Sequence, residues 1–505
     1  MFAKVNSAST LGLSAYAIDV EILITHGTLH AFHIVGLPDT AVNESKERVK
    51  AALKNFGISF GEQKFTVNLA PADIKKEGPS FDLPIAIGIL AAEGLVDKGS
   101  LKSFTIVGEL SLDAKLRGVN GVLPIALSLN ENKSLICPKQ NLEEALLSKN
   151  IKVYPAESLS EVIDIINNEF KEPAERTNKD AFDDAYYDID FNEVKGQELA
   201  KRALEISAAG GHNILMIGPP GSGKTMLAKR LPSIMPPLSY EEAIEITKIH
   251  SICGLTKHNH ALIDKRPFRS PHHTSSPAGL IGGGTIPKPG EVSLAHNGIL
   301  FMDELPEFNR SVLEVLRQPI EDGVVTISRS KTALTFPASF MLVGSMNPCP
   351  CGYYGDTVKE CTCSHAQISK YLKKISGPLL DRIDIHIEIP RLKYSEIEYK
   401  NEPASSVVIR ERIKKARNIQ LERFKGDKIY SNAKMNNKML KKYCRLEPET
   451  KDLLLNAMNN LGLSARAHDK ILKIARTISD LENSENILTE HIAEAINYRN
   501  LDRYF

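Results

Sequence analysis

Gly218-Pro219-Pro220-Gly221-Ser222-Gly223-Lys224-Thr225 has the pattern G-x-x-x-x-G-K-S/T, which is the spacing of a phosphate-binding loop. Its small residues let backbone N–H groups surround a phosphate, and the helix that follows adds partial positive charge at its N-terminus. Lys224 supplies a cation for the β- and γ-phosphates, and the Thr225 hydroxyl can bind Mg²⁺. The flanking residues 213–217 and 225–231 read as a buried strand and a helix. We therefore expect a loop that binds ATP, with an ordinary glycine-rich turn as the alternative.

The composition is that of a globular protein without a strong charge bias. The chain has 505 residues, which is enough for roughly three domains, with 42% apolar and 25% charged residues. Its net charge of +1 means that any surface for a polyanion must be local. The apolar run 83–92 is too short to cross a bilayer, and seven cysteines, an odd number, argue against a secreted disulfide framework. We expect a cytoplasmic protein with no membrane partner.

Four regions follow from changes of pattern along the chain. Residues 1–170 mix alternating strands with helical spacing, and residues 171–190 are polar, acid-rich and typical of a linker. In residues 191–392 strands alternate with helices, which indicates an α/β fold with a mostly parallel sheet. Helical patterns dominate residues 393–505, which we expect to form a separate helical domain.

Two further apolar strands end in polar side chains. Asp303 and Glu304 follow the run 298–302, at the carboxyl end of a strand, where α/β sheets bind ligands. Asp303 would hold Mg²⁺, and Glu304 would polarise the attacking water. Asn347 ends the run 341–346 and can reach the γ-phosphate or the same water. The alternatives are an acidic helix cap for the first pair and a turn-capping amide for Asn347.

Four longer motifs, together with this loop, resemble the AAA+ ATPases of the magnesium-chelatase-like group and, within that group, the ComM/YifB family. The resemblance covers essentially the whole chain. It implies an AAA+ P-loop core with a parallel sheet and a helical lid, preceded by a Lon-protease-like α+β domain. The motifs are Arg266–His273, Pro289–Gly298, Leu316–Gly323 and Gly377–Asp384.

The resemblance also assigns roles to three side chains. Asn347 matches the sensor-1 position, Arg382 matches the arginine finger that reaches the ATP of a neighbouring subunit, and Arg466 matches the sensor-2 arginine of the lid. A finger that acts between subunits implies self-association into a hexameric ring. The alternative is that Arg382 forms a local salt bridge, or that another arginine is the finger. The candidate bridge partners are Asp381 and Asp384, and the rival arginines are Arg310 and Arg317.

The stretch between Lys224 and Asp303 is much longer than a helix–loop–strand connection requires. The resemblance implies that the surplus is an insertion facing the pore of a ring. Further along, residues 323–336 read as two alternating strands with Arg329 and Lys331 near the tip. These cations would contact DNA phosphates without sequence preference, and a solvated hairpin tip is the alternative.

Four cysteines follow Asn347 closely and form two C-x-C pairs. Paired thiolates suit a closed, tetrahedral structural Zn²⁺ site, although the C-x-C spacing is tighter than the usual C-x₂-C. His365 is a candidate to replace one thiolate, and four free thiols are the alternative. The cysteines are Cys349, Cys351, Cys361 and Cys363.

The segment 76–83 resembles the serine segment of Lon-type ATP-dependent proteases, with Ser80 at the position of the nucleophile. A serine nucleophile needs a base, and Val122 occupies the position of the Lon lysine. Valine cannot accept a proton, so we expect a domain without proteolytic activity. Under a different alignment Lys115 or Lys133 would restore the pair, and Ser80 can instead cap the helix that follows.

The resemblance implies an ATP-driven ring motor that acts on DNA. As in the ComM family, it would be a helicase that promotes branch migration in homologous recombination and natural transformation, with branched or single-stranded DNA as its partner. Its cofactors would be ATP and Mg²⁺, with a structural Zn²⁺ in addition. The alternatives are a magnesium-chelatase-like motor subunit and an ATP-dependent Lon-like protease.

Overall fold

The computed structural model divides the chain into two compact units that do not follow the order of the sequence. Unit 1 contains Met1–Ala181 and Tyr240–Ile263, and unit 2 contains Phe182–Ser239 and Asp264–Phe505. The structure describes residues 1–26, 31–58, 60–131, 133–167, 172–175, 187–256, 261–285, 287–329, 333–356, 358–392, 404–427 and 429–499.

Unit 1 mixes strands and helices. Its strands are β1 Phe2–Leu11, β2 Ser14–His26, β3 Ala31–Val35, β4 Gln63–Ala70, β5 Phe104–Ile106, β6 Glu109–Leu110, β7 Leu116–Arg117, β8 Ser134–Pro138 and β9 Lys152–Ala156. Its helices are α1 Thr40–Asn55, α2 Asp82–Ala92, α3 Val122–Ser128, α4 Leu142–Ala145, α5 Leu159–Ile166 and α8 Tyr240–Ile252.

Unit 2 has short strands in its first part and helices in its last part. Its strands are β10 Ile214–Ile217, β11 Phe268–Arg269, β12 Gly282–Gly283, β13 Lys288–Pro289, β14 Ile299–Met302, β15 Val324–Ser328, β16 Ala333–Pro337, β17 Met341–Met346 and β18 Ile385–Glu388. Its helices are α6 Glu198–Gly210, α7 Lys224–Arg230, α9 Pro277–Ile281, α10 Glu291–Leu294, α11 Arg310–Val315, α12 Arg317–Asp322, α13 His365–Leu372, α14 Gly377–Leu380, α15 Ser406–Arg423, α16 Asn437–Tyr443, α17 Pro448–Leu461, α18 Ala465–Leu481 and α19 Thr489–Asn497.

The sheet of unit 1 has seven strands in the order β3-β4-β2-β1-β5-β8-β9. Successive side chains of a strand point to opposite faces, so β2 alternates and buries one face. Helix α2 is buried along its whole length and packs on that face. The two elements approach closely at Gly88, where a Cβ would come within 2.5 Å of Ile22 Cγ1. The apolar run expected to be too short for a membrane span is therefore the central helix of the unit 1 core.

One segment of unit 1 comes from the middle of the sequence. Helix α8 and the residues after it, to Ile263, lie in unit 1, although the residues before and after this segment lie in unit 2. The Tyr240 hydroxyl donates to the Leu147 carbonyl at 3.2 Å, and the Ser251 hydroxyl donates to Glu144 Oε2 at 2.7 Å. Part of the surplus sequence between Lys224 and Asp303 therefore packs within unit 1. The domain boundaries expected from the sequence stay predictions.

The sheet that carries the site belongs to unit 2. It has five strands in the order β11-β14-β17-β10-β18, and every pair is parallel. Strands β10, β14 and β17 are completely buried, as expected when both faces of a parallel sheet are covered. Because the strands are parallel, the residues that follow each strand meet at one edge.

Helices of the last part of the chain complete the core of unit 2. Ile471, Ile474 and Ile478 of α18 are buried in the same apolar cluster as Met216 and Val343 of the sheet. The expected α/β class with a parallel sheet is confirmed. Among the described residues, no helix combines the length and the apolar character that crossing a bilayer requires.

A buried ion pair of unit 1 yields a prediction about stability. Asp82 is fully buried and pairs with Arg48 Nε at 2.6 Å. Burial raises the pKa of Asp82 even against the opposing effect of Arg48. Arg48→Met leaves this carboxyl group without its cation, so we expect the free energy of unfolding of unit 1 to fall by about 3 kcal/mol. Hydrogen exchange of the α2 amides in the full chain measures the loss.

The matched control is Lys4→Met, which breaks the exposed Lys4–Asp19 pair of 2.8 Å and should cost less than about 1 kcal/mol. Replacing both partners, as Arg48→Met with Asp82→Asn, should recover part of the loss because no uncompensated charge remains. Equal hydrogen-exchange protection of the α2 amides in wild type and Arg48→Met would show that the pair is not needed for the stability of unit 1.

Candidate nucleotide site

The loop 218–225 connects β10 to α7 and needs glycine for geometric reasons. Gly221 and Gly223 have φ of +78° and +91°, a region that other residues rarely adopt. A Cβ on Gly218 would come within 2.3 Å of the Ile389 carbonyl oxygen. The expected strand–loop–helix is present, and its sequence is the one that this tight turn requires.

Lys224 lies at the start of α7, with its side chain turned back into the loop. Its ammonium donates to the carbonyl oxygens of Gly218 at 2.8 Å and Pro219 at 2.9 Å, and lies 3.4 Å from Asn347 Oδ1. Burial lowers the pKa of Lys224, while Asp303 and Glu304 act in the opposite direction. The cation is therefore placed inside the loop, among carbonyl oxygens that a phosphate can replace.

Asp303 joins the loop to the neighbouring strands. The Thr225 hydroxyl donates to Asp303 Oδ2 at 2.9 Å. The Ser345 hydroxyl donates to the other oxygen, Oδ1, which also accepts from the backbone N–H of Glu304 at 3.1 Å. Ser345 was not singled out from the sequence. The available signal was a polar residue inside the otherwise apolar run of β17.

Glu304 follows Asp303 with a φ of +53° and an exposed side chain. This strained conformation turns its backbone N–H toward the Ser345 hydroxyl, at 3.3 Å. Among the described residues, no hydrogen bond or ion pair occupies the Glu304 carboxylate. The carboxylate is thus available to a water molecule, which an acidic helix cap would not be.

Arg382 is held by a different acid from the two that the sequence suggested. Its guanidinium pairs with Glu321 at 2.7 Å and donates to the Pro378 carbonyl at 2.6 Å, and its side chain is 15% exposed. Asp384 pairs instead with Lys470 at 3.0 Å. No described hydrogen bond or ion pair joins Arg382 to the phosphate-binding loop of its own chain.

The other candidate arginines, Arg466, Arg317 and Arg310, lie near the segment 376–381, which precedes Arg382. Arg466 is 63% exposed and pairs with Asp381 at 3.6 Å. Arg317 pairs with Glu314 at 2.6 Å, and together with Arg310 it lines a cavity of about 610 Å³. The structure brings Lys224, Thr225, Asp303 and Asn347 together, and it leaves these arginines outside that group.

The four clustered cysteines form one compact group of sulfur atoms. All four lie within 4.8 Å of one another, with Sγ–Sγ distances of 3.3 Å between Cys349 and Cys351 and 3.6 Å between Cys351 and Cys361. A backbone N–H from Tyr353 lowers the pKa of Cys351 to about 6. His365 is exposed at the start of α13 and is not one of the described residues in this group.

The cysteine loop packs directly against the phosphate-binding loop. Gly352 has a φ of +85°, and a Cβ there would come within 2.7 Å of Pro220 Cδ. The structure of one loop therefore depends on that of the other.

The predicted hairpin is present as β15 and β16, which pair antiparallel from Val324↔Pro337 to Ser328↔Ala333. Arg329 is exposed just after β15. Lys331 lies outside the described residues.

Ser80 has no catalytic partner among the described residues of unit 1. Val122 is buried at the start of α3, Lys115 pairs with Asp113 at 3.1 Å, and Lys133 donates to the Lys102 carbonyl at 2.6 Å. Ser80 does not cap α2 either, because Phe81 occupies the N-cap position and no side-chain hydrogen bond is present there.

Comparisons with protein families match three parts of the chain. The family described as "Magnesium chelatase, subunit ChlI" matches residues 190–397. "Subunit ChlI of Mg-chelatase" matches residues 20–141, and "Magnesium chelatase, subunit ChlI C-terminal" matches residues 403–499.

Two individual relatives match over nearly the whole length, and a third matches over part of it. The chain is 45% identical to "Competence protein ComM" of Haemophilus influenzae over 99% of this chain and 98% of that protein. It is 42% identical to "Uncharacterized protein YifB" of Escherichia coli over 99% and 97%. "Magnesium-chelatase 67 kDa subunit" of Chlorobaculum tepidum is 28% identical over 32% of this chain and 23% of that protein. The chain therefore belongs to the ComM/YifB family of magnesium-chelatase-like AAA+ proteins.

Proposed function

We propose that this protein hydrolyses ATP, with Mg²⁺, at the edge formed by loop 218–225, Asp303, Glu304 and Asn347. The observation that carries the proposal is the 2.9 Å hydrogen bond from Thr225 to Asp303. A hydroxyl and a carboxylate at this distance are the hard oxygen ligands that Mg²⁺ prefers. Bound there, Mg²⁺ would neutralise charge on the β- and γ-phosphates.

Each side chain of the site then has one task. Lys224 exchanges its carbonyl partners for phosphate oxygens. Glu304 orients a water for attack on the γ-phosphorus and draws its proton away. Asn347, held 3.4 Å from the Lys224 ammonium, contacts the γ-phosphate or that same water.

Arg382 would complete the site of a neighbouring copy. Within its own chain it pairs with Glu321 and has no described contact with the loop, so any role in hydrolysis would be at another site. An arginine added to the phosphoryl-transfer transition state is worth on the order of 10³ in rate. We therefore propose a hexameric ring in which Arg382 is the finger in trans and Arg466 acts on the nucleotide of its own chain.

The polymer that such a ring moves is proposed to be branched or single-stranded DNA. Support comes from the exposed Arg329 on the hairpin and from a full-length relative that is named for competence. The activity would be that of a helicase that moves branch points in homologous recombination, and the protein would act in the cytoplasm. A magnesium-chelatase motor is the second candidate, favoured by the descriptions of the matching families.

The deciding experiment is ATP hydrolysis by the full chain, with and without single-stranded, duplex and four-way DNA. We expect hydrolysis that requires Mg²⁺ and that branched DNA stimulates most. Hydrolysis that no DNA stimulates would contradict the DNA part and leave the ATPase part intact. Mg²⁺ insertion into a porphyrin would favour the second candidate.

Two substitutions separate binding from turnover. Lys224→Ala removes the cation inside the loop, so we expect nucleotide binding to be lost. Glu304→Gln keeps the size of the side chain but not its basicity, so binding should persist while turnover falls by about 10²-fold or more. Fluorescent-nucleotide titration and phosphate release measure the two effects.

Glu307→Gln is the matched control, because Glu307 is an exposed acid on the same turn and pairs with Lys374 at 3.1 Å. It should leave both binding and turnover unchanged. An unaltered hydrolysis rate in Glu304→Gln would remove Glu304 from its proposed role.

We also propose that the four clustered cysteines hold a structural Zn²⁺. A tetrahedral ion with Zn–S bonds of about 2.3 Å separates its sulfur ligands by about 3.8 Å. The observed Cys349–Cys361 and Cys351–Cys361 distances of 3.7 Å and 3.6 Å are close to that value. The donor set of sulfur atoms alone also fits a closed structural site.

The expected result for the zinc site is metal loss coupled to weaker ATP binding. Cys351→Ser with Cys361→Ser removes two ligands, and the loop that packs on Pro220 should loosen. Metal analysis and nucleotide titration of the full chain provide the measurement, with Cys253→Ser as the control outside the group. Wild-type protein that carries no zinc after expression with zinc, and whose four thiols react freely, would contradict the site.

A further inference from the structure

The segment 381–384, which contains Arg382, is attached at both ends to a single helix. Arg466 of α18 pairs with the carboxylate at the start of the segment at 3.6 Å. Lys470, one turn further along α18, pairs with Asp384 at the end of the segment at 3.0 Å. The helix that presents Arg466 therefore also holds the residues on both sides of Arg382.

The backbone of this segment is fixed by side chains. Asn213 Nδ2 donates to the Arg382 carbonyl at 3.1 Å. The Ile383 carbonyl accepts from Lys470 Nζ at 2.9 Å and from Arg499 Nη1 at 2.5 Å. These contacts come from the residue before β10, from α18 and from the region after α19. The position of the Arg382 backbone thus depends in part on where α18 lies, while Glu321 and the Pro378 carbonyl hold its guanidinium.

Asp384 is the buried centre of these contacts. Besides Lys470, its carboxylate contacts His212, with Nδ1 of the ring 3.3 Å from Asp384 Oδ2. The other ring nitrogen, Nε2, lies 2.8 Å from the hydroxyl of Thr477, which is also on α18. Although burial would raise it, the pKa of Asp384 is held far below its usual range by Lys470 and His212. Burial lowers the pKa of Lys470 to about 8, while Asp384 acts in the opposite direction. A buried ion pair of this kind is costly to break.

We propose that Lys470 is a positioning residue for Arg382, acting through Asp384. Movement of α18 when Arg466 meets the nucleotide of its own chain then changes the arginine offered to the nucleotide of the next copy. The inference rests on the proposed function, because it needs Arg382 to act in trans. It adds a route by which nucleotide binding at one site of the ring changes hydrolysis at the neighbouring site.

The informative variant replaces both charges, as Lys470→Met with Asp384→Asn. Removing both charges avoids leaving Asp384 without the cation that pairs with it at 3.0 Å, so the double variant should keep more fold stability than Lys470→Met alone. Nucleotide affinity should stay near that of wild type, because neither residue touches the phosphate-binding loop. Turnover should fall on the order of 10²-fold, the effect expected when a reacting group is displaced by about 1 Å.

The control is Lys473→Met on the same helix. Lys473 is a half-buried lysine that donates to the Ala433 carbonyl at 2.9 Å. Among the described residues it forms no hydrogen bond or ion pair with the segment 381–384, and the Asp384 charge acts on it only at longer range. It should leave turnover close to that of wild type. Thermal unfolding of each variant, with wild type beside it, reports how much fold stability the substitutions remove.

Mixed rings identify which site the double variant damages. Lys224→Ala offers a finger but binds no nucleotide, and Arg382→Ala binds nucleotide but offers no finger. Mixing these two should restore activity at the interfaces where an intact loop meets an intact finger. The double variant should regain activity when mixed with Lys224→Ala and should gain none with Arg382→Ala, as a variant with a displaced finger must.

The other outcomes contradict the inference in distinguishable ways. If the double variant regains hydrolysis when mixed with Arg382→Ala but not with Lys224→Ala, the defect lies in its own nucleotide site. If it regains hydrolysis with neither partner, Lys470 has a merely structural role. If Lys224→Ala and Arg382→Ala do not complement each other, Arg382 does not act in trans and the proposed ring mechanism itself fails.

Discussion

The Asp303 carboxylate is the group on which the arrangement of the site depends. It accepts one hydrogen bond from Thr225 at the start of α7 and another from Ser345 of β17. Strands β10, β14 and β17 are parallel neighbours, so the residues that follow them meet at one edge. A single carboxylate therefore fixes the phosphate-binding loop relative to two other strands. Lys224 and Asn347 occupy positions that follow from this arrangement.

The pieces of this edge were predictable because each is encoded locally. Loop 218–225 has glycines where the backbone needs a positive φ or a close approach, and the apolar runs that lead to Asp303 and Asn347 are short and continuous. The parallel sheet followed from the alternation of strands and helices. The family suggested by the longer motifs is confirmed by relatives that match almost the whole chain.

Other features depend on contacts between residues far apart in sequence and had no local signal. Helix α8 lies in unit 1 because of partners such as Glu144 and Leu147, about which its own pattern says nothing. Arg382 pairs with Glu321 rather than with the acids beside it in the sequence, because the fold brings the end of α12 next to its side chain. The pairing of Asp384 with Lys470 has the same origin, and it connects the helical part of unit 2 to the arginine segment.

The central claim is that one chain supplies the loop and another supplies the arginine of each working site. Its most direct test is the specific rate of ATP hydrolysis measured over a wide range of protein concentrations at saturating MgATP. If two copies build each site, the rate per chain rises steeply with concentration and then levels off as the assembly forms. A rate per chain that stays constant down to concentrations at which the protein is demonstrably monomeric would contradict the claim.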